Sequence, residues 1–372
     1  MQPLYHSLNK NHPRFFAGAN SGEGFYSLFD ALYQPKQGDR MYIIKGGPGT
    51  GKSTLMKHMA VKMAEWEQPV ELYFCSSDPD SLDGVRFPSI KVAMADGTAP
   101  HVMEAHCLGV CERLVCQADW LDYDQLERKR DHLLPLYEQN KRLHQRASRF
   151  IAAAARLSDD SFTATCEVTD LKKAENVAMK LGEQMLAHLP EKGMESRRFL
   201  SGITPKGLLM FEETLAHYAK QILVIEDEQG AASSVMMSVL RQLALERGHQ
   251  VITCLCALHP SRKIDHLIIP TAQIAFCTTN SMMPITLDTG RRIHAGRFRD
   301  TAGYASIKQR LRFNRRASEE LLDGACQLIA KAKEVHDQIE ACYVEAMDFT
   351  LAQQHKERLV LELKQRLEEQ IG

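Results

Sequence analysis

Four blocks of this chain occur twice, in the same order, and that repetition constrains the fold more than any other feature. "RFFAGANSGEGFYSLFDAL" from Arg14 matches "RFLSGITPKGLLMFEETL" from Arg198 with one gap, and "MYIIKGGPGTGKSTLM" from Met41 lies over "QILVIEDEQGAASSVM" from Gln221. The third block runs from Glu71 and from Gln250, setting Pro79 against Pro260, Asp83 against Asp265 and Pro88 against Pro270. "RASRFIAAAARLSDDSFTATCEVTDL" from Arg146 then tracks "GACQLIAKAKEVHDQIEACYVEAMDF" from Gly324 without a gap. Each half is therefore expected to hold a core and a helical extension: 14–120 and 121–190 in the first, 197–300 and 301–372 in the second.

Within each core the pattern reads strand, loop, helix, strand, strand. "MYIIK" and "ILVI" are short apolar runs of strand type, and "KSTLMKHMAVKMAEW" carries apolar residues all round, as a mostly buried helix does. "VELYFC" and "IKVAMA" follow as strands. Strands alternating with helices predict an α/β fold with parallel sheets covered on both faces. The extensions differ. Leu321, Ala325, Leu328, Ala332, Val335, Ile339, Cys342 and Ala346 step by three and four, with Phe150, Ala154, Leu157, Ala164 and Val168 as their counterpart. These seams predict long helical hairpins whose apolar stripe serves as internal core or as a surface for a protein partner.

Composition excludes several classes. With 44% hydrophobic and 25% charged residues the chain is globular rather than disordered, and a net charge of −1 gives no global attraction to nucleic acid. No apolar run approaches the roughly 20 residues that span a bilayer, and the N-terminus lacks signal-peptide order, so a cytoplasmic location is expected. The ten cysteines then read as reduced thiols, most in core positions, with Cys254 and Cys256 on one strand face. His101, His106, Cys107, Cys111 and Cys116 fall close together, but the spacing is too irregular for zinc, and apolar helix packing is the expectation.

The segment Gly46, Gly47, Pro48, Gly49, Thr50, Gly51, Lys52, Ser53, Thr54 follows a strand and opens a helix. Glycines at those positions let the backbone curl so that successive N–H groups face a polyphosphate, and the helix N-terminus adds its dipole. Lys52 would reach the β- and γ-phosphates while the Ser53 hydroxyl ligates Mg²⁺. "GGPGTGKST" resembles the Walker A motif of P-loop NTPases, particularly AAA-like ATPases and proteins described as nucleotide kinases. With "FAGAN" upstream, "DPDSLD" after the second strand and "DGTAPH" after the third, most of the chain resembles an uncharacterised bacterial group of tandem P-loop ATPases. That likeness implies two P-loop NTPase-like cores with ATP and Mg²⁺ as cofactors, and it brings no substrate.

An acid is still needed to hold Mg²⁺ or align the attacking water, at the end of a strand near the loop. The second repeat acts as an internal control, because it keeps the pattern while losing the lysine. Aligned block by block, Lys52 meets Ala232 and Gly51 meets Ala231 without a gap, and Asp78 meets His259 and Asp96 meets Thr278 once small gaps are allowed. Asp83 persists as Asp265, which suggests a structural role in a cap or turn. Asp96, ending "KVAMAD", is accordingly the first candidate for a metal-holding and catalytic acid. Asp78 is the second, as a water-orienting or substrate-facing group, and His101, replaced by Met283, is a candidate phosphate sensor.

In the second loop Glu226, Asp227 and Glu228 bring negative charge where a triphosphate needs positive potential, so that loop is expected to be inactive. A retained inactive copy can act as scaffold, partner surface or donor of a residue to the live site. Residues 291–316 hold nine Lys or Arg against one acid, and read as an arginine-finger donor, a nucleic-acid contact or a solvated helix face. The resulting expectation is an ATP-binding protein with Mg²⁺-dependent ATPase activity at the first loop. A nucleotide or small-molecule kinase with Asp78 as base, and an ATP-gated binding module without turnover, are the alternatives. A guanine-reading N/T-K-x-D motif is absent.

Overall fold

The computed structural model describes residues 11–99, 102–287 and 290–371. Its first eight strands are β1 (Arg14–Phe16), β2 (Gly18–Ser21), β3 (Gly24–Ser27), β4 (Arg40–Lys45), β5 (Glu71–Phe74), β6 (Leu82–Phe87), β7 (Val92–Asp96) and β8 (Glu112–Cys116). The next eight are β9 (Met194–Arg198), β10 (Ser201–Thr204), β11 (Gly207–Met210), β12 (Gln221–Glu226), β13 (Gln250–Leu255), β14 (Ile264–Ile269), β15 (Ile274–Thr279) and β16 (Arg291–His294). Helices are α1 (Lys52–Glu65), α2 (Tyr123–Arg128), α3 (Arg130–Cys166), α4 (Leu171–Met185), α5 (Glu213–Tyr218), α6 (Ala231–Glu246), α7 (Thr301–Glu345) and α8 (Phe349–Ile371).

The repeat is real at the level of topology. One six-stranded sheet runs β1-β5-β6-β7-β4-β8 and the other β9-β13-β14-β15-β12-β16, so each strand has its counterpart eight places later. Even the irregularities recur. A register shift falls at Tyr73/Phe74 and again at Cys254/Leu255. The short turns opened by Pro88 and Pro270 both end on a left-handed residue, Lys91 (φ 53°) and Gln273 (φ 55°).

The sheets are mixed, not parallel as the sequence pattern suggested. β6 lies antiparallel to both β5 and β7, and β14 likewise to β13 and β15. No α-helix separates β5 from β6, and only the short turn Pro88–Ile90 separates β6 from β7; without a crossover consecutive strands can pair only as hairpins. β6 escaped the sequence reading because Asp83, Gly84 and Arg86 interrupt its apolar run; its copy "IDHLII" carries the plainer signal. Asp83 is thus a buried strand residue rather than a cap or turn.

Two compact units form. One consists of Ser27–Arg146 with the chain before Ala19 and after Cys326; the other consists of Ala19–Tyr26 and Ala147–Cys326. The first contains the β4 sheet and the second the β12 sheet, so we call them unit 1 and unit 2. The hairpin β2–β3 belongs to unit 2, where Asn20 Nδ2 donates to Ile203 O (3.1 Å) and Gly22 N to Leu258 O (3.2 Å).

The extensions also divide. In unit 2, Ala174, Ala178 and Leu181 of α4 join Met236, Met237, Leu240 and Ala244 of α6 in the core beneath the sheet. In unit 1, α8 is tied to the sheet: Tyr42 Oη donates to Glu362 (2.6 Å), and Arg366 Nε donates to Ile90 O (2.8 Å). The heptad seam is internal core. All its α7 members are buried except Leu321, and Leu133 of α3 clusters with Ile339 and Cys342 in unit 1. Each such buried Leu or Ile contributes about 1.5–3 kcal/mol relative to exposure. Among the described residues no helix is long and apolar enough to cross a membrane.

Candidate functional site

In unit 1 the loop between β4 and α1 runs from residue 46 to 51. Gly51 sits at the helix N-cap in a left-handed conformation (φ 90°), and Gly49 is also left-handed (φ 69°). These angles would strain any side chain, which explains glycine at both places. The first intrahelical bond is Leu55 N to Gly51 O, so the amides of Lys52, Ser53 and Thr54 precede the helical ladder at the positive end of the helix dipole.

Sequence-predicted residues converge here. Lys52 Nζ donates to Gly46 O (2.9 Å) and Gly47 O (2.7 Å), and stands 3.6 Å from Asp96 Oδ2. Asp96 reaches that position because β7 pairs with β4 in parallel, setting Asp96 beside Ile44 at the strand ends where the loop begins. Its other oxygen accepts from Thr98 N (2.8 Å), and Thr98 Oγ1 donates to Gly46 O (3.0 Å), tying acid and loop together. Ser53 Oγ accepts from Leu82 N (2.9 Å), fixing the hydroxyl at the head of β6. Thr50 Oγ1 donates to Gly47 O (2.9 Å). Lysine, hydroxyl and carboxylate around a loop of free-amide geometry form a donor set that fits a nucleotide polyphosphate with Mg²⁺. Ser53 and Asp96 would hold the metal, and Lys52 with the loop amides would hold the phosphates.

Asp78, the second candidate acid, is held in contacts of its own. Its carboxylate accepts from Ser81 Oγ (2.9 Å) and Asp80 N (3.3 Å), a local turn, and pairs with Lys333 of α7 at 3.4 Å. His101 lies outside the described residues. The cysteine cluster beside it is not helical: Cys111 N donates to Cys107 O in a turn, Cys116 ends β8, and Cys107 and Cys116 are exposed. Of the ten cysteines five are buried, Cys254 and Cys256 among them. A group with ligand-like spacing is His336, Asp337 and Glu340, on a partly exposed face of α7.

Helix α7 supplies what the sequence could not reveal. A β-carbon on Gly47 would stand 2.4 Å from Tyr343 Cε1, and one on Gly49 would stand 2.7 Å from Glu340 O. Helix and loop are packed so closely that only glycine fits at either place. Tyr343 is held in turn by Tyr137 of α3, whose hydroxyl donates to it at 2.9 Å. Burial lowers the pKa of His336, one turn before Glu340, with Lys333 and Lys52 adding to that against Glu340 and Asp337. A contact between a helix near the C-terminus and a loop near residue 47 leaves no local signature in either segment.

The corresponding loop of unit 2 is built differently. β12 ends at Glu226 and α6 begins at Ala231, leaving four loop residues (227–230) where unit 1 has six (46–51). Gly230 holds the left-handed N-cap position (φ 83°) of Gly51. The ungapped overlay therefore needs correcting: Ala231, not Ala232, stands in the place of Lys52, and two loop residues are missing. The acids are also committed. Asp227, with a side chain 1% exposed, accepts from Ser233 N (2.9 Å) at the start of α6 and from Arg299 Nη2 (3.1 Å). Glu226 pairs with Arg292 (2.9 Å) and His294, and Glu228 accepts from the amide and hydroxyl of Ser281. Unit 2 thus places its own carboxylate at the helix N-terminus, where an open loop would accept an external anion.

Three of the nine basic residues in the stretch 291–316 are spent on internal pairs with other elements. Arg292 and Arg299 serve the loop, and Arg310 serves Asp160 on α3. Comparison of the chain with protein-family models, curated proteins and solved structures finds no match.

Proposed function

We propose that the chain binds ATP with Mg²⁺ at the loop 46–51 of unit 1 and hydrolyses it there, and that unit 2 carries no second nucleotide. The observation that carries this reading is the convergence of Lys52, Ser53 and Asp96 on one helix N-terminus opened by left-handed glycines. Bound Mg²⁺ supplies charge neutralisation for the transferred phosphoryl group. Lys52, released from Gly46 O and Gly47 O, orients and neutralises phosphate, and Asp96 keeps the metal beside Ser53 or aligns water.

The contact between α7 and the loop favours a coupled role. Tyr343 and Glu340 abut the two glycines that any phosphate-bound loop must position, and Lys333 on the same helix holds Asp78. Nucleotide occupancy is then read by α7, so hydrolysis serves to reset a helical element. The kinase alternative would require Asp78, its candidate base, to leave Ser81 and Lys333.

Phosphate release from Mg·ATP by the purified chain and by Lys52→Ala tests the reading. Release without an added acceptor, lost in the variant, is the expected result. Tight ATP binding with no release in either protein would replace hydrolysis by a binding switch.

A further inference from the structure

Unit 2 contains a cavity of about 230 Å³ beside its shortened loop, where Glu228 and Gln229 meet the ends of β13 and β15. Ligands of open α/β sheets bind outside the carboxyl ends of strands, and this cavity lies there. Its walls are mostly apolar: Phe162, Ile203, Leu208, Met282, Met283 and Leu311.

Two histidines line it with unsatisfied ring nitrogens. His259 is 8% exposed and His266 is 3% exposed, and neither His259 Nε2 nor His266 Nδ1 has a hydrogen-bond partner. Such atoms buried without partners are costly, so a polar edge brought by a ligand would be stabilising. Burial keeps both rings neutral, His266 falling to about 4. For His259 the tautomer follows from its neighbour. Arg262 can only donate, and its Nη2 stands 3.1 Å from Nδ1, nearer than Asp159 at 3.4 Å. Nδ1 therefore accepts, and Nε2 carries a proton for which the protein supplies no acceptor.

The cations at the cavity each have a carboxylate partner, with Arg315 standing 3.8 Å from Glu319. Asp159 pairs with Arg262 (2.5 Å), Lys263 with Asp265 (3.0 Å), and Glu228 is held by Ser281. A ligand bearing negative charge would meet only cations that are already paired. A flat ring suits the walls of Phe, Leu and Met, and an edge with an acceptor beside a donor suits one imidazole N–H and a second imidazole of either tautomer.

We infer that the cavity of unit 2 is a binding site for a small uncharged aromatic amide or lactam-edged heterocycle, with His259 Nε2 as the donor to its carbonyl or ring nitrogen. The second repeat has exchanged a phosphate cradle for this site: the loop that closed over Asp227 is one of its walls. Nothing in the inference depends on hydrolysis in unit 1.

The test titrates the full chain, labelled at its histidine rings, with benzamide, benzoate and toluene, and follows the His259 and His266 ring signals by NMR. Benzamide is expected to shift both signals saturably, with a dissociation constant of about 1 mM, as suits so small a probe. His259→Phe should weaken it about tenfold. Ala257→Leu, which fills the cavity, should abolish the shifts while the unfolding midpoint stays near that of the parent. Three results would overturn the inference: no probe moves either signal in the parent chain, benzoate binds more tightly than benzamide, or His259→Phe binds benzamide as well as the parent does.

Discussion

Two loops occupy the same place in two copies of one topology, and they differ in what they leave open. In unit 1 six residues separate strand from helix, three are glycines beyond Gly46, and Lys52 rests on backbone carbonyls within reach of Asp96. In unit 2 four residues do the same work, and Asp227 with Arg299 fills the helix N-terminus. On the proposed reading, unit 2 loses an anion site through occupation by an internal anion, not through the negative charge of the sequence by itself. Glu226 and Asp227 are paired with Arg292 and Arg299, which largely cancels their potential within the unit, while Glu228 is held by the neutral Ser281.

The difference can be broken most severely at Lys52. On the proposed reading, Lys52→Ala should reduce phosphate release at least about 100-fold, since it removes the cation proposed to meet the transferred phosphoryl group. Next comes Asp227→Asn, which leaves Arg299 facing a neutral amide in a largely buried place. It should destabilise unit 2 by about 3 kcal/mol in urea unfolding and leave ATP binding by unit 1 unchanged. If the substitution instead created a second ATP site, the loop would be blocked by Asp227 alone and its shortening would not matter.

How far this contrast was legible in the sequence depends on what each residue contacts. The repeat, the strands β4 and β12 and the helix from Lys52 all follow from local apolar pattern and glycine placement. Asp96 was found because its copy, Thr278, lost the acid along with the lysine, and the paired strands confirm its place beside Ile44. The two-residue deletion was hidden, since sliding one loop over the other without a gap still aligns strand with strand. Only the ends of β12 and α6 expose it. The antiparallel β6 was lost in Asp83, Gly84 and Arg86, although the absence of an α-helix between strands already implied a hairpin. Tyr343, Glu340 and Lys333 had no signal at all, because their partners lie almost the whole chain away.

A smaller effect sharpens the account of unit 2 as a body held by internal ion pairs. Glu195 on β9 receives Arg241 Nε (2.6 Å) and Nη2 (2.5 Å) and Thr253 Oγ1 (2.7 Å). Burial alone would raise its pKa, but these donors outweigh it and depress the carboxyl from 4.5 to about 2. A depressed folded pKa contributes stability that is complete above the unfolded value and is lost as pH falls through the folded one. Glu195→Gln should therefore cost about 2 kcal/mol at pH 7, with the difference from the parent shrinking as pH drops from 4.5 toward 2. A difference independent of pH would place the contribution in packing.

The smallest expected change concerns α7. Tyr343→Ala removes the ring that abuts Gly47 and should raise ATP affinity about threefold, as the loop no longer works against the helix. Unchanged affinity would mean that helix and loop are merely neighbours. The same titration bears on the central claim most directly when its stoichiometry is read: equilibrium binding of Mg·ATP to the full chain, to Lys52→Ala and to Asp227→Asn. One nucleotide per chain, lost in Lys52→Ala and retained in Asp227→Asn, is the predicted result. Two nucleotides per chain, or one that survives Lys52→Ala, would contradict the account.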